Sequence, residues 1–529
     1  MYRGTPKILA HLSNKSLFST HIGRSLVTCT SSFRTFHSQS NSLQAMPLNE
    51  NSPEKGKLEK QYDIVILGGG IAGSSLACAL AGAPELRDKK IALLDAFDLG
   101  KVRDWVPPEK GFMNRVVSLT PSSVKFLRKI GAWEKVHVER SMPYQHMEVW
   151  DGLGEGRVQF STDMLNFPTE AMAWIIENNN IQSAVLQKLE QHENVIDVID
   201  SSKVQDIFRT EPSELSTDDQ VDVSEWPVVK LENGTLLRTR LLIGADGVNS
   251  PVRKFAQIES YGWDYDQHGV VATLQHHPDI EEPSDMVNTT AWQRFLPTGP
   301  IAMLPLDSNH SSLVWSVPPK LAVKLKACPP ELFSQLVNAA FRLAPADLDY
   351  LYTQISEDGQ SLSDISGEIE WREEQSGQVA VHRNLPPTVF NVQDKSRASF
   401  PFRLRNAERY VEDRLALVGD AAHATHPLAG QGLNYGLGDV ESMSQVIINA
   451  VRSGQDIGNI NVLTQYSSER FFPNAAMLGA VDKLKRLFAF NSAPIVWARS
   501  FGLDSTNALG PLKTQIIKYA MGLETSVKP

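Results

Sequence analysis

Runs of apolar residues that stop abruptly at glycine or aspartate set the first pattern in this chain. Tyr62-Asp63-Ile64-Val65-Ile66-Leu67 runs into Gly68-Gly69-Gly70, and the small apolar residues of 74–81 suit a helix, so strand, tight turn and helix are predicted there. A second apolar run, Lys90-Ile91-Ala92-Leu93-Leu94, stops at Asp95. A third, Leu241-Leu242-Ile243, stops at Gly244-Ala245-Asp246-Gly247, and a fourth, Leu415-Ala416-Leu417-Val418, stops at Gly419-Asp420. Gly432 opens a helix reaching to near Arg452, with Gly454 as its stop signal, and Thr120-Pro121 caps and begins another. Over 255–405 the pattern changes to short alternating runs such as 270–274 and 312–316, which predict a mostly antiparallel sheet. Residues 145–172 add two strands to it. The acidic, polar stretches 211–225 and 356–377 read as solvated insertions. Near the end, Leu484, Leu487, Phe488 and Phe490 recur at helical spacing beside Lys483, Lys485 and Arg486. Such a stripe suits core packing first, and a membrane surface as the alternative.

Composition narrows the classes. The chain has 529 residues, 42% hydrophobic and 21% charged, enough for two or three domains with their own cores. Its net charge of −10 and lack of a basic tract argue against a nucleic-acid partner, which requires phosphate neutralisation. Cys29, Cys78 and Cys328 make neither a disulfide framework nor a CxxC site. No apolar run reaches the roughly 18 residues that suggest a spanning helix. Residues 1–49 hold five Lys or Arg, nine Ser and five Thr, and no Asp or Glu. That is the composition of an organelle transit peptide, read here as mitochondrial, with a plastid address or an unaddressed basic tail as alternatives. Residues 50–60 read as a polar linker.

The glycine and aspartate stops carry the candidate chemistry. Gly68-x-Gly70-x-x-Gly73 between strand and helix has the spacing of a dinucleotide fingerprint: a tight turn, a close approach of pyrophosphate, and close helix packing. Asp95 stands 22 residues after Gly73, where an acid can bind ribose hydroxyls. Asp246-Gly247 alone is only a turn, and it gains meaning if it meets the same cofactor. Asp420 ends a strand where a carboxylate could bind a polyhydroxyl chain. Gly430-Gln431-Gly432 then offers backbone N–H groups at a helix N-terminus, which favour negative charge on a planar ring. Asp420, His423 and His426 could instead be read as metal ligands, but a glycine-rich anion cradle directly after them fits a flavin better, and no metal site is expected.

With these segments in chain order, the sequence resembles the class A flavoprotein monooxygenases of the p-hydroxybenzoate hydroxylase fold. Gly68 to Gly73 match the adenine-end fingerprint, Asp246-Gly247 the DG motif and Gly419-Asp420 the GD motif. The run from Gly419 to Asn434, Asp439-Val440, and 293–306 look most like the ubiquinone-biosynthesis branch. The resemblance implies an α/β fold: a Rossmann-like FAD-binding domain (61–144, 173–254 and 406–470), a substrate domain with a mixed, mostly antiparallel sheet (145–172 and 255–405), and C-terminal helices (471–529). It implies that Gly68, Gly70, Gly73 and Asp95 hold the ADP half of FAD, with Asp95 standing where the family usually has Glu. Arg115 would contact FAD, and Gln182 would lie near the ribityl chain. Asp246 would lie by the pyrophosphate, and Asp420 would bind the ribityl chain. Pro427 would flank the reactive edge of the ring, and Gly430, Gln431 and Gly432 would face its pyrimidine end.

The implied activity is hydroxylation of a polyprenylated phenol by O2 through a flavin C4a-hydroperoxide, in a pocket that excludes water. No residue stands out as a general base. The implied setting is peripheral, on the matrix side of the mitochondrial inner membrane. Implied partners are a ferredoxin with its reductase as electron donor and a ubiquinone-biosynthesis complex including a lipid-binding protein. Two other readings stay open on the sequence: an NADPH-dependent hydroxylase of a small soluble phenol, and a non-catalytic flavin-binding scaffold.

Overall fold

Leu415–Leu417, Leu236–Gly244, Glu59–Leu67, Ile91–Leu94 and Ile196–Ile199 lie side by side in that order, all parallel. The computed structural model that shows this describes residues 59–210, 223–276, 288–380, 385–425 and 430–523. Residues 1–49, Pro427 and most of 211–225 lie outside the described residues. Ile64, Val65 and Ile66 are wholly buried, because helices cover the parallel sheet, and this is why its strands read as unbroken apolar runs. The helices Ile71–Ala81, Asn178–Glu190 and Gly432–Arg452 share one large core with those strands. Glu59–Leu67 begins two residues inside the span read as linker.

A second sheet runs through His423–Ala424, Ala398–Ala407, Ser260–His276, His310–Val317, Gly299–Pro305, Thr290–Leu296, His146–Asp151 and Arg157–Ser161. All its pairings are antiparallel except that of Thr290–Leu296 with His146–Asp151. A third, three-stranded sheet of Val116–Leu119, Ala173–Glu177 and Ser141–Tyr144 lies apart from both.

The structure corrects three expectations. Within 255–405 the sheet is interrupted by four helices, Pro319–Ala327, Pro330–Arg342, Pro345–Thr353 and Ile365–Ala380. Their signal was in the sequence: three start with Pro in the first turn, and Leu332, Phe333, Leu336, Val337, Ala340 and Phe341 repeat at helical spacing. The stretch 356–377 is therefore partly a packed helix, with Ile365 and Ile369 buried. The tail stripe divides: Phe488 is buried and stacks on Phe295 at 3.9 Å, while Leu484, Leu487 and Phe490 stay exposed. These residues end a helix, Ile460–Ala489, that runs across the boundary placed at residue 470, and Ala493–Ala508 and Gly510–Ala520 follow it. Among the described residues no helix is long and apolar enough to cross a membrane.

Candidate functional site

Strand register brings together segments far apart in the chain. Leu67 sits opposite Leu94 on one side and Gly244 on the other, and Gly244 sits opposite Leu417. The four strands end level, so the residues after them emerge at one edge of the sheet, where open α/β folds bind ligands. Backbone bonds lock this edge: Gly68 N to Leu94 O at 2.8 Å, Ala245 N to Leu67 O at 2.8 Å, and Val418 N to Gly244 O at 2.9 Å.

The glycine turn is held by three side chains at one residue, Gly69. Asp95 Oδ2 accepts from Gly69 N at 2.6 Å. Ser74 Oγ and Gln182 Nε2 both donate to Gly69 O, at 2.7 and 2.8 Å. Asp95 and Gln182 thus clamp the loop in addition to any ligand contact, and Ser74 is a clamp the motif did not announce. Gly68 has φ +109°, and a Cβ on it would lie 2.4 Å from Ala245 O; a Cβ on Gly73 would lie 1.9 Å from Gly68 O. Gly70 differs, since a Cβ there would meet nothing within 4 Å. It faces open space at the N-terminus of Ile71–Ala81, whose cap residue carries no side chain.

Arg115 is exposed, with its carbonyl accepting from Asn178 N at 3.0 Å. The segment before it is fastened by Glu177, which is wholly buried, accepts from Met113 N at 2.7 Å and pairs with Arg140 at 2.6 Å.

Asp246 accepts from Val252 N at 3.3 Å, while its Oδ1 is buried with no hydrogen-bond partner. Burial pushes its carboxyl up to about 6, against the opposing pull of the Ser250 hydroxyl, Val252 N–H and Arg253. Arg253 ties this turn to the fourth strand's turn by donating to Ala421 O at 2.7 Å. There Asp420 alone is exposed among buried neighbours. Its side chain meets water yet is hemmed in by protein, and that enclosure raises its carboxyl against the lowering influence of His423.

Behind Asp420 lies a buried network. Asp439 accepts from Gly419 N at 3.1 Å, contacts His423 Nε2 at 2.6 Å, and pairs with Arg470 Nε and Asn474 Nδ2, each at 2.9 Å. Burial works to raise the Asp439 carboxyl, but His423, Arg470 and Asn474 overcome it and hold it at about 2. His423 is thereby committed to Asp439. The helix passes close to the turn at Gly436, where a Cβ would lie 3.4 Å from Gly419 Cα, at van der Waals contact.

Gly430 has φ +59° and lies beside Ser118. Gln431 precedes Gly432–Arg452, and no described side chain caps that helix. The Gln431 side chain turns instead to the C-terminal helix, with Nε2 donating to Ala520 O at 3.2 Å. Asn434 fixes the helix to the first segment: Nδ2 donates to Ser118 O at 2.8 Å, and Oδ1 accepts from Thr120 N at 3.0 Å and Ser123 Oγ at 2.7 Å. Tyr144 Oη sits 3.3 Å from Ser118 Oγ, in an apolar cluster with Phe112, Leu165, Met172, Ile517 and Met521.

These features fit a flavin dinucleotide: a gap at Gly70 a methyl could fill, an orphaned carboxylate oxygen at Asp246, and two helix N-termini that no described side chain caps. A model of the FAD binding domain matches residues 61–360 and 362–478. The mitochondrial ubiquinone biosynthesis monooxygenase COQ6 of Saccharomyces cerevisiae is 40% identical over 481 residues, covering 89% of this chain and 96% of its own. The protein of the same name in Homo sapiens is 39% identical over 459 residues, covering 87% and 92%. Among solved structures, p-nitrophenol 4-monooxygenase PnpA from Pseudomonas putida superposes with a TM-score of 0.58 at 16% identity, covering 88% of this chain and 98% of its own. PqsL, a probable FAD-dependent monooxygenase from Pseudomonas aeruginosa, does so at 0.57 and 20%, covering 84% and 100%. The solved structures share the fold, and the curated relatives span nearly their whole length; the chain belongs to the FAD-dependent monooxygenases, on the branch of the mitochondrial ubiquinone biosynthesis monooxygenases.

Proposed function

We propose that the protein hydroxylates the aromatic ring of a polyprenylated phenol on the route to ubiquinone, with FAD as cofactor and O2 as the oxygen source. The observation that carries this reading is the level ending of four strands. It gathers the fingerprint, DG and GD turns at one edge in a chain that matches ubiquinone monooxygenases almost end to end. Bound FAD supplies the electron transfer and oxygen activation. The chain's own residues bind, orient and keep the site dry. Gly68, Gly70, Gly73 and Asp95 are assigned the ADP half, with Arg115 and Gln182 along its length. Asp246 is assigned the pyrophosphate and Asp420 the ribityl chain. Pro427, Gly430, Gln431 and Gly432 are assigned the ring, where the N-terminus of Gly432–Arg452 favours negative charge. The apolar cluster around Tyr144 supports the reading, because a polyprenyl tail and a water-excluding wall both require apolar surface at this end.

The proposed setting is the matrix face of the mitochondrial inner membrane, held peripherally, within a biosynthetic complex that includes a lipid-binding partner. The proposed electron donor is a ferredoxin with its reductase, as membership of the mitochondrial ubiquinone branch implies. Stopped-flow absorbance of the holoprotein tests this, comparing reduction by NADPH with reduction by ferredoxin and its reductase, each with a prenylated phenol present. Fast reduction only through ferredoxin, followed by ring hydroxylation, is expected. Fast direct reduction by NADPH stimulated by a small phenol would replace the reading with a conventional soluble hydroxylase. A flavin that neither donor reduces would point to a scaffold.

A further inference from the structure

The last two helices present an apolar face that nothing in the described chain covers. On Ala493–Ala508, Pro494, Trp497, Ala498 and Phe501 face outward, with Trp497 70% and Phe501 61% exposed and their rings stacked at 5.7 Å. On Gly510–Ala520 and just beyond it, Leu512, Ile516, Tyr519 and Leu523 are exposed at helical spacing, continuing from exposed Leu509. The opposite faces are well seated. Arg499 is buried and pairs with buried Asp151 through two bonds, at 2.5 and 2.9 Å. Ile517 and Met521 enter the cluster around Tyr144. The outward residues are thus the unpartnered side of firmly docked amphipathic helices, not a frayed tail. Exposed apolar patches of this extent mark interaction surfaces.

Charge identifies the occupant. The whole chain carries −10, yet among residues 483–523 four basic side chains that are not buried, Lys483, Lys485, Arg486 and Lys518, stand against one Asp and no Glu, with Arg499 and Lys513 buried and Arg486 paired with Asp482 just before this span. That single acid, Asp504, accepts from Arg157 N at 3.3 Å. Lys483 and Arg486 are exposed beside exposed Leu484, Leu487 and Phe490. Aromatic and aliphatic residues outward, cations at the border and no described helix able to span: this is the composition of helices that lie in the plane of an anionic bilayer surface. Position adds purpose. Gln431 bonds to Ala520 O and Ser122 N to Met521 O at 3.4 Å, so the apolar face adjoins the segment assigned to the flavin ring.

We infer that the outer face of Ala493–Ala508 and Gly510–Ala520, with the end of Ile460–Ala489, docks on an anionic lipid bilayer and sets the ring end of the site beside the lipid that carries the substrate. The inference rests on the proposed reaction for its purpose, though not for the surface itself. Flotation of the purified holoprotein with vesicles of phosphatidylcholine alone, and of phosphatidylcholine containing cardiolipin, tests it. Binding to the anionic vesicles is expected, weakened by salt. It should fall by at least about tenfold in Trp497→Ser/Phe501→Ser and in Leu512→Ser/Ile516→Ser. Flavin content, thermal midpoint and hydroxylation of a short-tailed phenol in solution should stay unchanged in both. Failure of the parent protein to float, or equal flotation of the variants, would overturn the docking surface. So would variants that float normally but lose a protein partner. Flotation as expected with no phenol hydroxylation would instead sink the proposed reaction and leave the surface standing.

Discussion

Gly70 and Gly73 belong to one fingerprint, but a methyl group would meet different things at each. At Gly73 it would lie 1.9 Å from Gly68 O, inside a locked turn, while at Gly70 it would meet nothing within 4 Å. Gly73→Ala is therefore expected to destabilise the apoprotein by about 1–3 kcal/mol or more through overpacking. Gly70→Ala should leave apoprotein stability within about 0.5 kcal/mol of the parent and weaken FAD binding by an order of magnitude or more. Paired denaturation curves and flavin titrations check this, and an equal loss of stability at both positions would refute the division of roles. Asp246 makes a prediction with a sign. Its buried carboxyl is raised to about 6, so the folded state favours the neutral acid. The folded protein bears no penalty below the unfolded value of about 4, acquires it as pH rises from there through 6, and carries it in full above. In the apoprotein, Asp246→Asn should add little at pH 4 and about 2–3 kcal/mol at pH 8. A gain independent of pH would show that the carboxyl is not desolvated as described.

At the scale of elements, Asp439 joins three pieces: the turn at Gly419, the helix Gly432–Arg452 that carries it, and the helix Ile460–Ala489 through Arg470 and Asn474. Asp439→Ala removes one member of a buried charged group and leaves Arg470 uncompensated, at a cost of about 3–5 kcal/mol. Because the Gly419 turn loosens with it, flavin should dissociate faster as well. Denaturant midpoints and the rate of flavin release measure the two effects, and a cost below about 1 kcal/mol would mean that the network is incidental. This network also marks how far the sequence could be read. The parallel strands, the glycine turns and the helix from Gly432 to Arg452 were legible because each rests on local rules: a fully buried run, a stop residue, a cap. Thr120 caps its helix as its type predicts, accepting from Ser123 N at 3.3 Å. The clamps were not legible, since Asp439 to Arg470, Glu177 to Arg140 and Asn434 to Thr120 are pairings over distances that no spacing rule reaches. The helices after Pro319 were a different miss, in which a strong period was read as alternation.

For the whole molecule, the question is what keeps the ring end of the site dry. In the proposed site the parallel core would supply one wall and the three-stranded sheet another. The third is the C-terminal helix, whose Ile517 and Met521 pack with Phe112, Tyr144, Leu165 and Met172. That helix is joined to the site through Gln431 and Ser122, and the helix before it, Ala493–Ala508, is docked by Arg499 and Asp151. The C-terminal helix lies late in the chain, yet in the proposed site it would close a pocket begun at Gly68, so that integrity of the terminus would govern chemistry encoded elsewhere. Deleting apolar volume in this wall without touching a polar contact isolates its role. Ile517→Ala/Met521→Ala should cost several kcal/mol locally, on the scale of about 2–5 for each buried side chain, and open a path for water. The parallel core shares none of these contacts, so flavin content should hold. Water at the ring diverts reduced oxygen to free peroxide in place of hydroxylated product. The ratio of hydrogen peroxide to product, measured at equal donor consumption, should therefore rise several-fold in the variant, with the rate of flavin reduction little changed. An unchanged ratio despite measured destabilisation would mean that the wall excludes nothing, and that the terminal helix serves attachment alone.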